Sequence, residues 1–171
     1  MEKLKDKNSI IYNNITDKLD EYNDEINSFI EKLGHEKKYF DITTKRIMQS
    51  VIVFLAIYNN ETIGIAGIER KYGMLRNYVT IIKEYQKGGL GPRFTLHMLE
   101  EAKKTCNIIL AIVEENNYGA LKGAAAIGFK KVGQRENLCY ILKPLNKKGV
   151  FLFFLIKLLF PAVKLVDIFR R

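Results

Sequence analysis

Cysteine is scarce in this chain of 171 residues: Cys106 and Cys139 are the only two, and they form no C-x-x-C pair. No disulfide framework can be built from them, and a reducing, cytoplasmic compartment is the expected location. The two histidines, His35 and His97, stand apart from any thiol or carboxylate cluster at ligand spacing, so no metal site is expected. Residues 1–8 are charged and contain no apolar run, so no signal peptide is expected. There is no internal repeat, no Pro/Gly/Ser-rich linker and no aromatic-studded RNA motif, and nucleic acid is not an expected partner. Two familiar phosphate-binding patterns are also missing. No Lys-Ser/Thr pair follows the glycines near residue 91, as a Walker A loop needs, and Phe94 breaks a G-x-G-x-x-G fingerprint.

What is present is enough apolar sequence, 47% of residues, to bury one proper core. The net charge of +9 comes mainly from the part beyond residue 50, which favours anionic partners: phosphates, anionic lipid or other polyanions. The most informative stretch is Gln86-Lys87-Gly88-Gly89-Leu90-Gly91-Pro92. It follows a β-branched run, Tyr78-Val79-Thr80-Ile81-Ile82, and precedes an amphipathic helical pattern. Glycines let the backbone turn tightly, and Pro92 suits the first position of a helix. Bare N–H groups capped by a helix N-terminus make an anion cradle, although many glycine-rich turns are only turns.

The remaining pattern gives a mixed layout. A short strand is expected over residues 9–12, and a helix carrying Leu19, Tyr22, Ile26, Phe29, Ile30 and Leu33 up to Gly34. A short helix is expected over 43–49. Strands over 51–58 and 62–69 are joined by the turn signal Asn59-Asn60-Glu61. The strand before the glycines spans about 75–82, and the helix begins at Pro92 with Leu96, Leu99 and Cys106 on one side. Residues 108–113 read as a strand buried on both faces, 118–127 as a helix ending at Gly128, and 138–142 as the last strand.

The loop resembles the acyl-CoA loop of the GNAT N-acetyltransferase superfamily, [RQ]-x-x-G-x-[GA], through Gln86, Gly89 and Gly91. A second family pattern, N-x-x-A-x-x-x-Y-x-x-x-G-F, is matched by Asn117, Ala120, Gly128 and Phe129, with Ala124 where the family usually carries tyrosine. The resemblance covers about residues 51–144. It implies an α+β fold, a mostly antiparallel sheet flanked by helices, within a domain over 1–148. It implies an enzyme that moves an acyl group, most simply acetyl from acetyl-CoA, to a small-molecule or peptide amine. Ile81 and Ile82 would then offer backbone groups to the pantetheine arm and thioester. Lys87, Gly88, Gly89, Leu90 and Gly91, with Gln86, would hold the pyrophosphate, and Asn117 would hydrogen-bond the cofactor nearby.

Acyl transfer needs a polarised thioester oxygen, a deprotonated amine and a stabilised thiolate. The tyrosine that usually serves the thiolate is Ala124 here. Tyr118, six residues earlier on the same expected helix, faces about 120° away. Tyr140 or Tyr78 would have to approach from elsewhere, and Glu69, or Glu114 or Glu115, is a candidate base at a strand end. Glu69 and Tyr140 are the expected catalytic pair, with an inactive acyl-CoA-binding or regulatory module, or a membrane-surface adaptor, as the alternative.

Residues 149–171 form an apolar tail outside the family pattern. The run over 150–169 is interrupted by Lys157, Pro161, Lys164 and Asp167, and Lys157, Lys164 and Arg171 recur every seven residues. An amphipathic helix on an anionic membrane surface fits this better than a span. A helix packed over the domain or in a homodimer interface are the other readings.

Overall fold

The computed structural model describes residues 9–34, 42–71, 74–86 and 89–159. His35, Lys87, Gly88 and the tail from residue 160, with Pro161, Lys164 and Asp167, lie outside the described residues. The chain is α+β. Its strands are β1 (Ile11–Asn14), β2 (Ile52–Tyr58), β3 (Glu61–Lys71), β4 (Met74–Ile81), β5 (Ile108–Glu114), β6 (Lys130–Arg135) and β7 (Leu138–Pro144). They form one mostly antiparallel sheet in the order β1-β2-β3-β4-β5-β7-β6. The β4–β5 pair is parallel, with Arg76 opposite Leu110. The helices are α1 (Asn23–Leu33), α2 (Thr44–Met48), α3 (Leu90–Ala102), α4 (Tyr118–Ala126) and α5 (Lys147–Leu159). Contacts divide the chain into two compact units, Met1–Glu69 with Tyr78–Met98, and Arg70–Asn77 with Leu99–Arg171.

In the first unit, β2 is a continuous apolar run, and its residues 52–56 are all buried. It pairs antiparallel with β1 and β3. The β2–β3 hairpin turns at Asn59 and Asn60, both with positive φ (50° and 60°). That is the geometry of a type I′ turn, which asparagine tolerates better than most residues and which matches the twist of the flanking strands. α1 offers Ile26, Phe29 and Leu33 from one face to a core containing Ile15, Ile47, Val53, Leu55 and Ile65. Thr43 caps α2, its hydroxyl accepting from the Arg46 N–H at 3.2 Å.

Several boundaries differ from the sequence reading. The first strand lies at Ile11–Asn14 rather than 9–12, because its pairing with β2 sets its limits. The single helix expected through Leu19 and Tyr22 is a 3-10 segment, Thr16–Tyr22, followed by α1. α3 begins at Leu90, two residues before Pro92. Proline is still tolerated there, because first-turn N–H groups have no intrahelical acceptor. The buried face of α3 is Leu90, Phe94, Met98, Leu99 and Ala102, whereas Leu96 is 40% exposed and Cys106 lies beyond the helix.

In the second unit, β5 pairs antiparallel with β7 along its whole length, and β7 with β6. Ile109, Leu110 and Ala111 of β5 are buried, while Ile108 and Ile112 to Glu114 are half-buried, so the two-sided burial expected of this strand holds for its middle. β6 has no counterpart in the sequence reading. Lys130-Lys131-Val132-Gly133-Gln134-Arg135 has one large apolar residue and takes the edge of the sheet, where lysines discourage further pairing.

α5 also belongs to this unit. Asn146 caps it, its side-chain oxygen accepting from the Gly149 N–H at 2.9 Å, and its amide donates to the Asn107 side chain at 2.9 Å. Gly149 lies so close to the Asn107 carbonyl that a Cβ there would collide with the backbone. Phe153 completes a small core with Leu110 and Leu142. This first part of the tail is therefore packed over the domain by one of its faces. Among the described residues, no helix is long and apolar enough to cross a membrane.

Candidate functional site

The loop expected to hold a phosphate lies in the first unit, after β4. A single 3-10 turn, Lys83–Tyr85, follows the strand, and the Gln86 side chain then reaches back to donate to the Ile81 carbonyl at 2.9 Å. The Ile82 N–H is committed to the Ile63 carbonyl of β3 at 3.0 Å, so Ile81 and Ile82 are held by both neighbours in sequence and neighbours in the sheet. Gly89 has φ +79°, and a Cβ built on it would meet nothing within 4 Å. Its carbonyl accepts the first bond of α3, from Arg93 at 3.3 Å. The N–H groups of Leu90 and Gly91 stand in the first turn, where no intrahelical acceptor exists. The Gly91 carbonyl accepts from the buried Thr95 hydroxyl at 2.9 Å, which stiffens this turn.

Positive φ, open space over the glycine and a helix start of 13 residues make a cradle of the kind an oxyanion fills. Arg93 adds an exposed cation in the same turn. The Gln86 contact could not have been read from spacing alone, since it depends on the 3-10 turn folding the chain back over Ile81.

Glu69, also of the first unit, is placed differently from a solvated strand-end carboxylate. Arg46 of α2 donates to both its oxygens, Nε to Oε2 at 3.0 Å and Nη2 to Oε1 at 2.8 Å. The two side chains are only 12% and 11% exposed. The same guanidinium lies over the Tyr78 ring, 4.6 Å from its centroid. The Tyr78 hydroxyl and Ser50 Oγ are 2.9 Å apart, and because Ser50 donates to the Arg46 carbonyl at 3.0 Å, Tyr78 is the donor between them. Tyr78 crosses Gly67 so closely that any side chain there would strike the phenol. Arg46 and Ser50 are absent from the sequence reading, for they lie far from Glu69 along the chain and carry no motif.

Burial pushes the Tyr78 phenol up to about 12, and the Ser50 hydrogen bond and Arg46 only partly offset it. This lies above the ordinary phenol value of 10.0, so the associated stability is complete below pH ~10 and is lost as pH rises towards ~12. That rise corresponds to roughly 2–3 kcal/mol. Chemical denaturation between pH 9 and 12 should therefore show an alkaline loss of stability that Tyr78→Phe largely removes.

The other expected site residues belong to the second unit. Asn117 caps α4: its side-chain oxygen accepts from the Ala120 N–H at 3.0 Å, and its carbonyl accepts from Leu121 at 3.0 Å. Its amide nitrogen is the group left to serve a ligand. Asn117→Ala should cost about 1 kcal/mol of stability through loss of the cap. A several-fold weakening of acetyl-CoA binding on top of that, read by calorimetry, would assign the amide nitrogen to the cofactor. Ala124 is half-buried on α4, and its carbonyl accepts from Ile127 and Phe129 at the helix end. Tyr118 is 76% exposed. Tyr140 lies on β7 opposite Ile112 and Gly133 and packs against the cluster of Leu110, Leu142 and Phe153. Glu114 ends β5 opposite Leu138, and the Glu115 N–H donates to the Asn137 carbonyl.

No protein-family model and no curated protein sequence matches the chain. Solved structures do. The ribosomal-protein-S5-alanine acetyltransferase from Vibrio fischeri superposes with a TM-score of 0.67 at 15% identity, over 83% of this chain and 96% of that one. Aminoglycoside 6'-acetyltransferase type Ii gives 0.63 at 16%, over 80% and 97%. The chain has the GNAT fold. The same fold is seen in yncA of Salmonella typhimurium, solved with its cofactor acetyl-CoA, with a TM-score of 0.54 at 14% identity over 82% and 96% of the two chains. At these identities the GNAT likeness establishes the architecture, and the chemistry has to be argued from this chain's own residues.

Proposed function

We propose that the protein is an N-acyltransferase that takes an acyl group, most simply acetyl, from acyl-CoA and passes it to an amine. The observation that carries this reading is the loop opening α3: Gly89 at positive φ with open space above it, and Gln86 pinned to the Ile81 carbonyl, in a GNAT fold. Gly89, Leu90 and Gly91, with Arg93 close by, would hold the cofactor pyrophosphate through N–H groups and charge. Acyl-CoA when bound would supply the activated thioester. In the transfer, the amine nitrogen forms a bond to the thioester carbonyl carbon as the C–S bond breaks. The ammonium proton passes to water or a carboxylate, and the thiolate leaves and is protonated.

A thiol leaves readily near its ordinary pKa of about 8.5, so Ala124 in place of tyrosine does not bar the reaction. Proximity supplies much of the rate. The second reading, an acyl-CoA-binding module without turnover, is favoured by Ala124 and by Glu69, whose two oxygens each already accept an Arg46 N–H. The structures with this fold act on acceptors as different as a ribosomal protein and an aminoglycoside, so the acceptor is left here as a small-molecule or peptide amine.

The test is calorimetry with acetyl-CoA, followed by a screen of amine acceptors read by thiol release. Micromolar binding with acceptor-dependent thiol release supports transfer. Binding without release from any acceptor supports the module. Absence of binding overturns both.

A further inference from the structure

We propose that the outward face of α5 lies against an anionic membrane surface and tethers the domain there. The inference is independent of acyl transfer. α5 is apolar almost all round, a property of helices buried on every side or lying in lipid. Its inner face, Gly149 and Phe153 with Ile156 beside them, is spent on the second unit's core. The opposite face carries Val150, Phe151, Phe154, Leu155, Leu158 and Leu159, which recur at helical spacing and are exposed, Phe151 by 66%, Phe154 by 63% and Leu158 by 75%. Six large apolar side chains on one uncovered face form a patch of the kind that marks an interaction site. The Asn146 cap and the close seat of Gly149 against Asn107 hold the helix so that this face points away from the unit's core.

Charge decides the occupant. Between Glu136 and Asp167 the sequence has no acidic residue, while Lys143, Lys147, Lys148, Lys157 and Lys164 fall within that stretch. Lys147, Lys148 and Lys157 are exposed on α5 itself. On β6, Lys130 lies 5.9 Å from the centre of the Phe153 ring. In a two-fold dimer the patch would meet its own copy, setting the lysines of α5 against one another with no carboxylate on that helix. An anionic lipid surface offers hydrocarbon to the phenylalanines and leucines and phosphate to the lysines at once.

The test uses the full chain with vesicles of phosphatidylcholine, alone or mixed with phosphatidylglycerol, read by co-sedimentation. The expected result is binding at least roughly tenfold tighter to the mixed vesicles, weakening as salt shortens the electrostatic range. The triple variant Phe151→Ser, Phe154→Ser, Leu158→Ser should lose binding to both while melting normally, since these side chains lie outside the packed core. Lys147→Gln, Lys148→Gln, Lys157→Gln should lose the preference for the anionic lipid. Equal binding to both vesicle types, unchanged by the lysine variant, overturns the proposal. So does failure to bind either vesicle. In that second case, a full-length dimer that the serine variant converts to monomer would identify the face as a contact between copies.

Discussion

Gly89→Asn and Gly89→Val should both weaken acetyl-CoA binding by about a hundredfold, or close to 3 kcal/mol. The two substitutions differ in what they do to the free protein. Valine at φ +79° is strained, and such strain costs of order 1–3 kcal/mol in the folded chain, so its melting temperature should fall. Asparagine tolerates this backbone region and should leave the fold nearly unaffected. Yet either side chain enters the open space above the glycine, where the phosphate oxygens would sit. The asparagine variant therefore separates occupancy from strain. If it binds acetyl-CoA as the natural chain does in calorimetry, the glycine serves only the turn, and the cradle is not where the cofactor is held.

Arg46→Ala should destabilise the protein by about 3 kcal/mol, the lower end of what breaking a buried ion pair costs. It removes two N–H donors from a carboxylate that is 11% exposed, and it also uncovers the Tyr78 ring. Urea unfolding would show this as a fall in midpoint of the order of 1–3 M, given the usual slope. Glu69→Gln keeps one oxygen acceptor but takes the counter-charge away from the Arg46 guanidinium, which is 12% exposed, so it should also destabilise the protein by a comparable amount. The same two variants report on chemistry once an acceptor is known. A loss of a hundredfold or more in kcat with Glu69→Gln, in a protein that still binds acetyl-CoA, would make Glu69 the base as well as the partner of Arg46. An unchanged kcat would leave it a purely structural carboxylate that fixes α2 on β3.

Local signals in this chain are strong where one short segment decides its own conformation. Asn59-Asn60 between two apolar runs specifies its hairpin turn, because both residues accept positive φ and the alternatives would splay the strands. The glycines after β4 announce a tight turn into α3 for the same kind of reason. Asn117 signals both a helix start and a family motif, and its oxygen is found capping α4. The signal fails where pairing partners decide. β6 has neither alternation nor β-branched residues in number, and it becomes a strand because β7 has an open edge to offer it. Leu96 looked like core by periodicity, but the orientation of α3 is set by Leu90 and Phe94, and Leu96 is turned outward.

The chain's own sequence determined the glycine cradle, the loss of the usual tyrosine at Ala124 and the apolar, acid-free character of α5. Each of these is written in residues that are neighbours along the chain or at fixed helical spacing. Only the tertiary structure decided that Glu69 is locked to Arg46 with the guanidinium over the Tyr78 ring, and that one face of α5 is spent on Leu110 and Leu142 while the other is left bare. Those arrangements depend on which side chains meet across the sheet, and periodicity states that a face is apolar without stating what covers it.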